Sequence, residues 1–262
     1  LAETDIRMER YADGLAQLRP MRDELERRLD RDHPMTLNAL QTLSTALLRT
    51  GNFEEGRAAS QQLRQATSHP TVEQIFSDEM HAGLTAMYSG DLASAERRFR
   101  DLLATLPSTA TRSRKALLMA QHAEVMLREH RLDDATRIMR DVERALQDEP
   151  GSKGYWRSYA NVLRICLYAR RGEFATARAI ADQVSRSVQR ERSESHPLWL
   201  VSAAYRELLA SESGADATDS KRSQLAARLR AELGWQRSAS ELADWVERAA
   251  RTRDWSKLPV VS

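Results

Sequence analysis

The stretch "HPMTLNALQTLSTALLRTGNFEEG", residues 33–56, decides how this chain folds. A His-Pro pair opens it, Leu37, Leu40, Leu43 and Leu47 follow at helical spacing, and Gly51-Asn52-Phe53 closes it. Proline's fixed torsion and missing donor suit the first turn of a helix, while glycine takes the left-handed conformation that ends one. The stretch therefore predicts one helix from the His-Pro pair to the glycine and a second that starts at once.

The same turn recurs along the chain. "GNFEEG" at Gly51 is followed by "GDLASA" at Gly90, "HRLDDA" at His130 and "GEFATA" at Gly172, and preceded by "ERYADG" at Glu9; the anchors lie 42, 39, 40 and 42 residues apart. Two places after each anchor stands a large apolar residue (Tyr11, Phe53, Leu92, Leu132, Phe174), expected to plug into the core. Five places after it the residue is always small (Gly14, Gly56, Ala95, Ala135, Ala177), as two closely approaching helices require. His130 replaces glycine, and histidine tolerates the left-handed region better than most residues.

No sustained two-residue alternation marks a strand. The apolar period predicts helix pairs at 34–50 with 52–67, 70–89 with 91–105, 110–129 with 131–148, and 153–171 with 173–192. His33-Pro34, His69-Pro70 and His196-Pro197 each stand before the first helix of a pair, so these histidines read as helix-start punctuation rather than as metal ligands or bases.

Composition narrows the function classes. The 262 residues hold 40 basic and 38 acidic side chains, a net charge of +2 with both signs interspersed, which argues against a dedicated nucleic-acid surface. Cys166 is the single cysteine, flanked by apolar residues in "YANVLRICLYARRG"; it excludes an internal disulfide, suits a reducing compartment and reads as an inert packed thiol. No apolar run approaches the roughly 20 residues of a membrane-spanning helix, and no signal peptide opens the chain. The expected location is cytoplasmic, with an extracytoplasmic domain of a membrane-anchored regulator as the alternative. Leu1 in place of methionine is expected of a fragment of a larger protein.

Phosphate-binding Gly-rich loops, paired histidines with a glutamate and a Gly-x-Ser-x-Gly elbow are all absent from the sequence. The chain is expected to be non-catalytic, with no cofactor and no metal.

Residues 33–53 resemble the tetratricopeptide (TPR) repeat, in the longer variety of kinesin light chains and bacterial regulatory proteins. The resemblance rests on His33, Pro34, Thr36, Leu40, Gln41, Thr42, Leu43, Ser44, Gly51 and Phe53, and the repeat pattern covers residues 9 to about 192. It implies an all-α, right-handed α-solenoid of about five helix pairs. Residues 1–192 form the array and 193–262 a divergent final repeat with capping helices, continuous with the same solenoid. In that final region "SESGADATDSKRS" (211–223) reads as a mobile polar loop, and the stretch after it as two helices parted at Gly234, with Ser238 or Ser240 as a cap. Trp235, Trp245 and Trp255 crowd this end, either covering the solenoid's core or lining a partner or self-association site.

By resemblance, the first helix of each pair lines a concave groove that holds an extended peptide. Carried over by register, the groove residues are Asn38, Gln41, Thr45, Arg49, Met80, Tyr88, Glu124, Arg128, Tyr159 and Arg170. Arg49, Arg128 and Arg170 repeat two places before their turns and could form a ladder for an acidic or C-terminal peptide, since guanidinium offers a planar fork. They could equally favour the negative ends of their helices. The family's peptide-binding asparagines are replaced: Gln41 keeps an amide, but the matching later places are Met80, Ala120 and Val162. A groove growing apolar along its length prefers a hydrophobic peptide or an amphipathic helix. The expected function is a protein- or peptide-binding module, the interaction or sensory region of a larger bacterial signalling or transcription regulator, such as one with a Ser/Thr kinase or winged-helix domain. A small-ligand or signalling-peptide sensor and a self-assembling scaffold are the alternatives.

Overall fold

The computed structural model describes residues 11–49, 52–66, 72–106, 111–147, 155–191, 197–212, 219–233, 237–248 and 254–261. Among them the chain forms twelve α-helices, one 3₁₀ turn and no strand. The helices are α1 (Tyr11–Arg28), α2 (Pro34–Arg49), α3 (Phe53–Ala66), α4 (Val72–Ser89), α5 (Leu92–Thr105), α6 (Arg112–Arg128) and α7 (Leu132–Gln147). They continue as α8 (Tyr155–Arg170), α9 (Phe174–Glu191), α10 (Pro197–Glu212), α11 (Asp219–Leu233) and α12 (Arg237–Arg248), with the 3₁₀ turn at Trp255–Lys257. The fold is all-α, and no helix among the described residues is long and apolar enough to cross a membrane.

One bonding pattern repeats at the turns. Gly90, His130 and Gly172 have φ of 90°, 60° and 76°. After each, the next amide reaches back across the helix end: Asp91 N to Ala86 O at 2.9 Å, Arg131 N to Met126 O at 2.8 Å and Glu173 N to Tyr168 O at 2.9 Å. Asn52 N makes the equivalent bond to Leu47 O at 2.8 Å. Each residue then accepts the first bond of the following helix through its own carbonyl, from Gly56, Ala95, Ala135 and Ala177. This is the Schellman closure, in which a left-handed residue returns orphan carbonyls to partners. His33 also acts at a helix end: its Nδ1 accepts from Met35 N at 3.2 Å. His69, Pro70 and His196 lie outside the described residues.

The small residues behave as the spacing predicts, since Gly14, Gly56, Ala95, Ala135 and Ala177 are all buried. Of the large apolar residues, Leu92, Leu132 and Phe174 do not plug fully and are half-buried, while the side chains of Tyr11 and Phe53 lie outside the described residues. Each of the three begins its helix. At the far end, the expected polar loop 211–223 is helical at both edges, in α10 to Glu212 and α11 from Asp219; its middle lies outside the described residues. α12 starts at Arg237, ahead of both serines expected to cap it.

The chain divides into two compact units, Leu1–Leu102 and Leu103–Ser262. In the first, α1 packs on α2, α2 on α3, and α4 on both α2 and α3. Leu15, Leu18, Leu43, Ala46, Leu47 and Ala59 form one apolar cluster. A polar knot sits beside it. Ser44 Oγ lies 2.7 Å from Ser60 Oγ and 3.2 Å from His81 Nδ1, and donates to Gly56 O at 3.2 Å. Ser44 is fully buried, so the knot satisfies hydroxyls between three helices instead of presenting a nucleophile.

Asp78 is the discordant residue of this unit. It is 5 % exposed, its Oδ1 has no partner, and Arg64 approaches its other oxygen only to 3.8 Å. Burial pushes its carboxyl up, against the opposing charge of Arg64. The folded chain then holds the Asp78 proton more tightly than the unfolded chain. Stability therefore grows as pH falls through the folded value and shrinks as pH rises. Asp78→Asn should melt above the parent at neutral pH, with the gap closing by about pH 4, where the unfolded carboxyl also gains its proton. Calorimetry across that range checks this; a gap independent of pH would remove the carboxyl as its cause.

In the second unit consecutive helices from α6 to α12 pack on one another, and so do alternate ones: α6 on α8, α8 on α10, α10 on α12. The row α6, α8, α10 carries the candidate site.

Candidate functional site

The site begins with the helical period of α8. Tyr159, Val162, Cys166 and Arg170 recur at three- and four-residue steps and so share one face. On α6 the same period aligns Glu124 and Arg128, and α10 contributes Tyr205. Glu124 is fully buried, which an isolated carboxylate would not tolerate. Its Oε1 accepts from Arg128 Nε at 2.9 Å and Nη2 at 2.6 Å, and its Oε2 accepts from Tyr159 Oη at 2.7 Å. Two helices are thereby fixed by one saturated carboxylate.

Arg170 is committed differently. Its Nη1 donates to Leu127 O, at the end of α6. Its Nε donates to Leu258 O at 3.0 Å, joined there by Nη2. Leu258 belongs to a segment, residues 258–261, without helical structure and entirely buried. Leu258 has φ −51° and ψ 126°, the extended geometry expected ahead of Pro259. One residue on, Pro259 O accepts from Tyr205 Oη at 2.6 Å, and Val261 N donates back to the same oxygen at 3.2 Å. The cleft thus reads an extended backbone: an arginine fork on one carbonyl, a phenol on the next, and that phenol again on a following amide. Proline fits between them because it has no N–H to satisfy. Leu258, Val260 and Val261 are 0 %, 4 % and 0 % exposed.

Burial pushes the Tyr205 phenol well up, so the hydroxyl keeps the proton it donates to Pro259 O. The Cys166 thiol is also pushed up by burial. Its Sγ lies 4.0 Å from Leu258 O and 3.9 Å from Pro259 O, beneath the segment, in surroundings that suppress thiolate chemistry.

Trp255 stands shortly before the segment, its ring packed between Phe174 of α9 at 4.9 Å, tilted, and Trp245 of α12 at 5.9 Å, edge-to-face, between ring centroids. These contacts hold the 3₁₀ turn from which residue 258 departs; Trp235 lies outside the described residues. Asp254 closes that turn by accepting from Ser256 N at 3.2 Å.

Of the ten residues expected to line a groove, Glu124, Arg128 and Tyr159 form one hydrogen-bonded network, while Arg170 binds the carbonyls of Leu127 and Leu258. Arg128 answers Glu124, and Arg170 answers backbone carbonyls, so these two guanidinium groups are engaged within the fold. In the first unit, Asn38 is exposed, Gln41 and Tyr88 are half-buried, and Met80 is buried. Only the backbone positions of Thr45 and Arg49 in α2 are described. Sequence reasoning missed Tyr205 and residues 258–261. The short apolar run Leu258-Pro259-Val260-Val261 after polar Lys257 was the available signal. Among the described residues no three His, Cys, Asp or Glu side chains converge as metal ligands.

Compared with known proteins, the chain matches no protein-family model and shows no significant similarity to any curated protein.

Proposed function

We propose that the chain is a non-catalytic, peptide-binding module built as a TPR-like right-handed α-solenoid, serving as the interaction region of a larger regulatory protein. The observation that carries this reading is the cradle for residues 258–261, an extended backbone held by Arg170 and Tyr205 on the row of alternate helices. The repeated closures at Gly90, His130 and Gly172 support the repeat architecture. So do Gly83, Ala95, Phe99 and Pro107, spaced as the glycine, alanine, aromatic and proline of a TPR unit.

The chemistry of the cleft moves the preferred partner from acidic to apolar. Arg128 and Arg170 already meet partners of the chain's own, and Val162 and Cys166, on the same face of α8 as Arg170, are buried. A display library of random peptides panned against the full chain should enrich apolar sequences containing proline. Photo-crosslinking of the enriched peptides should then mark α6, α8 or α10. Failure to enrich any sequence, or crosslinks confined to other helices, would overturn the reading.

The small-ligand alternative has one observation in its favour, a cleft of about 470 Å³ in the first unit lined by Glu26, Arg31, Asp32, Thr36, Leu40 and Gln62. That volume lies within the usual range for small-molecule sites.

A further inference from the structure

We infer that residues 258–261 are a displaceable, built-in ligand, and that the cleft between α8 and α10 binds in their place an extended Leu-Pro-Val-Val-like segment of a partner protein. The inference rests on the peptide-binding reading and adds the ligand's chemistry and its competitor.

The occupant itself specifies that chemistry. Two successive carbonyls and one following amide are met by Arg170 and Tyr205, which any extended backbone can satisfy. Specificity comes from the buried side chains of Leu258, Val260 and Val261 and from the residue that lacks an amide hydrogen, Pro259. The bonds of the cradle are therefore reproducible in trans. A partner segment of this pattern forms the same three contacts at the same atoms.

The attachment of the segment is consistent with release. Trp255 and Trp245 are only half-buried, and Asp254, Ser256 and Lys257 are exposed, so on the side that precedes Leu258 the segment is anchored by an edge-to-face ring contact and an exposed turn. Opening of a tethered segment costs less than unfolding the helices beneath it, because only its own contacts are lost.

Cys166 provides the probe. As the single cysteine, lying beneath Leu258 and Pro259, it is masked when the segment is docked. The full chain is treated with an aromatic disulfide thiol reagent across a series of low urea concentrations, and Cys166 modification is timed against global unfolding followed by circular dichroism. Expected is modification at least about a hundredfold faster than global unfolding allows, with a much shallower dependence on urea, since m scales with the surface exposed. The synthetic peptide Lys-Leu-Pro-Val-Val-Ser is then titrated in. Bound to the opened cleft, at ten times its apparent dissociation constant for the full chain, in which the docked segment competes, it slows modification about elevenfold by mass action. A scrambled peptide of the same composition leaves the rate unchanged.

Three results would overturn the inference. Urea dependence equal to that of global unfolding makes the segment a fixed part of the core, whether or not library peptides bind elsewhere. Fast local opening without protection by the peptide removes the cleft as a binding site; if the display library also enriches nothing, the peptide-binding reading itself fails. Protection that grows with protein concentration, together with a doubled mass in light scattering, assigns the cleft to the segment of a second copy instead of a partner protein.

Discussion

Glu124→Ala is expected to destabilise the second unit by about 3–5 kcal/mol, the range for stripping one partner from a buried ion pair. Both Glu124 oxygens are in use, by Arg128 and by Tyr159, and both donors are largely withdrawn from water: Tyr159 is 6 % exposed and the Arg128 side chain 17 %. The alanine variant leaves a guanidinium and a phenol facing a hole. In a unit of this size the loss corresponds to a drop of roughly 10 °C in Tm. Urea denaturation of three further variants apportions it. Tyr159→Phe removes the phenol's charge-assisted hydrogen bond to the carboxylate and should cost about 1.5–3 kcal/mol. Glu124→Gln keeps an acceptor and should fall between the two. Glu124→Leu combined with Arg128→Met replaces both charges by apolar groups and should recover much of the loss, because neither side chain then carries a charge that burial must strip of water. A single-variant cost below about 1 kcal/mol would place the pair in solvent.

How far the sequence foretold this site depends on the range of the interactions. The Glu124-to-Arg128 contact spans four residues on one helix, and such a pair is visible in "EVMLR" to anyone placing it on a 3.6-residue period. The helix ends were equally legible: the expected pairs and the observed helices differ by no more than about two residues per end, since a left-handed residue with its returning amide is a local event. Even His130 announced itself, by occupying a glycine's place in the repeat, and it adopts φ 60°.

Legibility fails where contacts are distant in sequence. Arg170 meets Leu258 88 residues away, and Tyr205 meets Pro259 54 residues away. No period connects these positions. Register placed Arg128 and Arg170 on one face, but it could not say that one faces Glu124 and the other a carbonyl of the chain itself. A ladder of free forks and a set of satisfied ones share the same spacing. The tryptophans illustrate the same limit: their crowding pointed to the last part of the chain, while the stack of Trp255 between Phe174 and Trp245 requires α9 and α12 to converge. Composition near a chain end cannot reveal such a convergence.

A second large effect is expected in the first unit, where Gly83 of α4 faces Phe99 of α5. Glycine within a helix is unfavourable by about 1 kcal/mol relative to alanine, so its presence there needs a packing reason. The reason is geometric: a Cβ at position 83 would lie 2.6 Å from Phe99 Cε1 and 3.0 Å from Cζ. Phe99 is fully buried, so its ring cannot swing into solvent to make room. Phe99→Ala should cost about 3–5 kcal/mol, the transfer of an aromatic side chain plus the cavity it leaves. Gly83→Ala sets the gain in helix propensity against overpacking of about 1–3 kcal/mol; overpacking outweighs the gain, and the variant is less stable than the parent. Combining Gly83→Leu with Phe99→Ala refills the vacated space from the opposite helix. Together the two should be less harmful than their sum by at least about 2 kcal/mol, at the upper end of couplings between residues in contact. Urea melts of the four chains in the cycle measure that difference directly. Additive effects within about 0.5 kcal/mol would mean that the ring and the glycine are not in contact. The close approach of α4 and α5, on which the TPR-like reading of this pair rests, would then be lost with it.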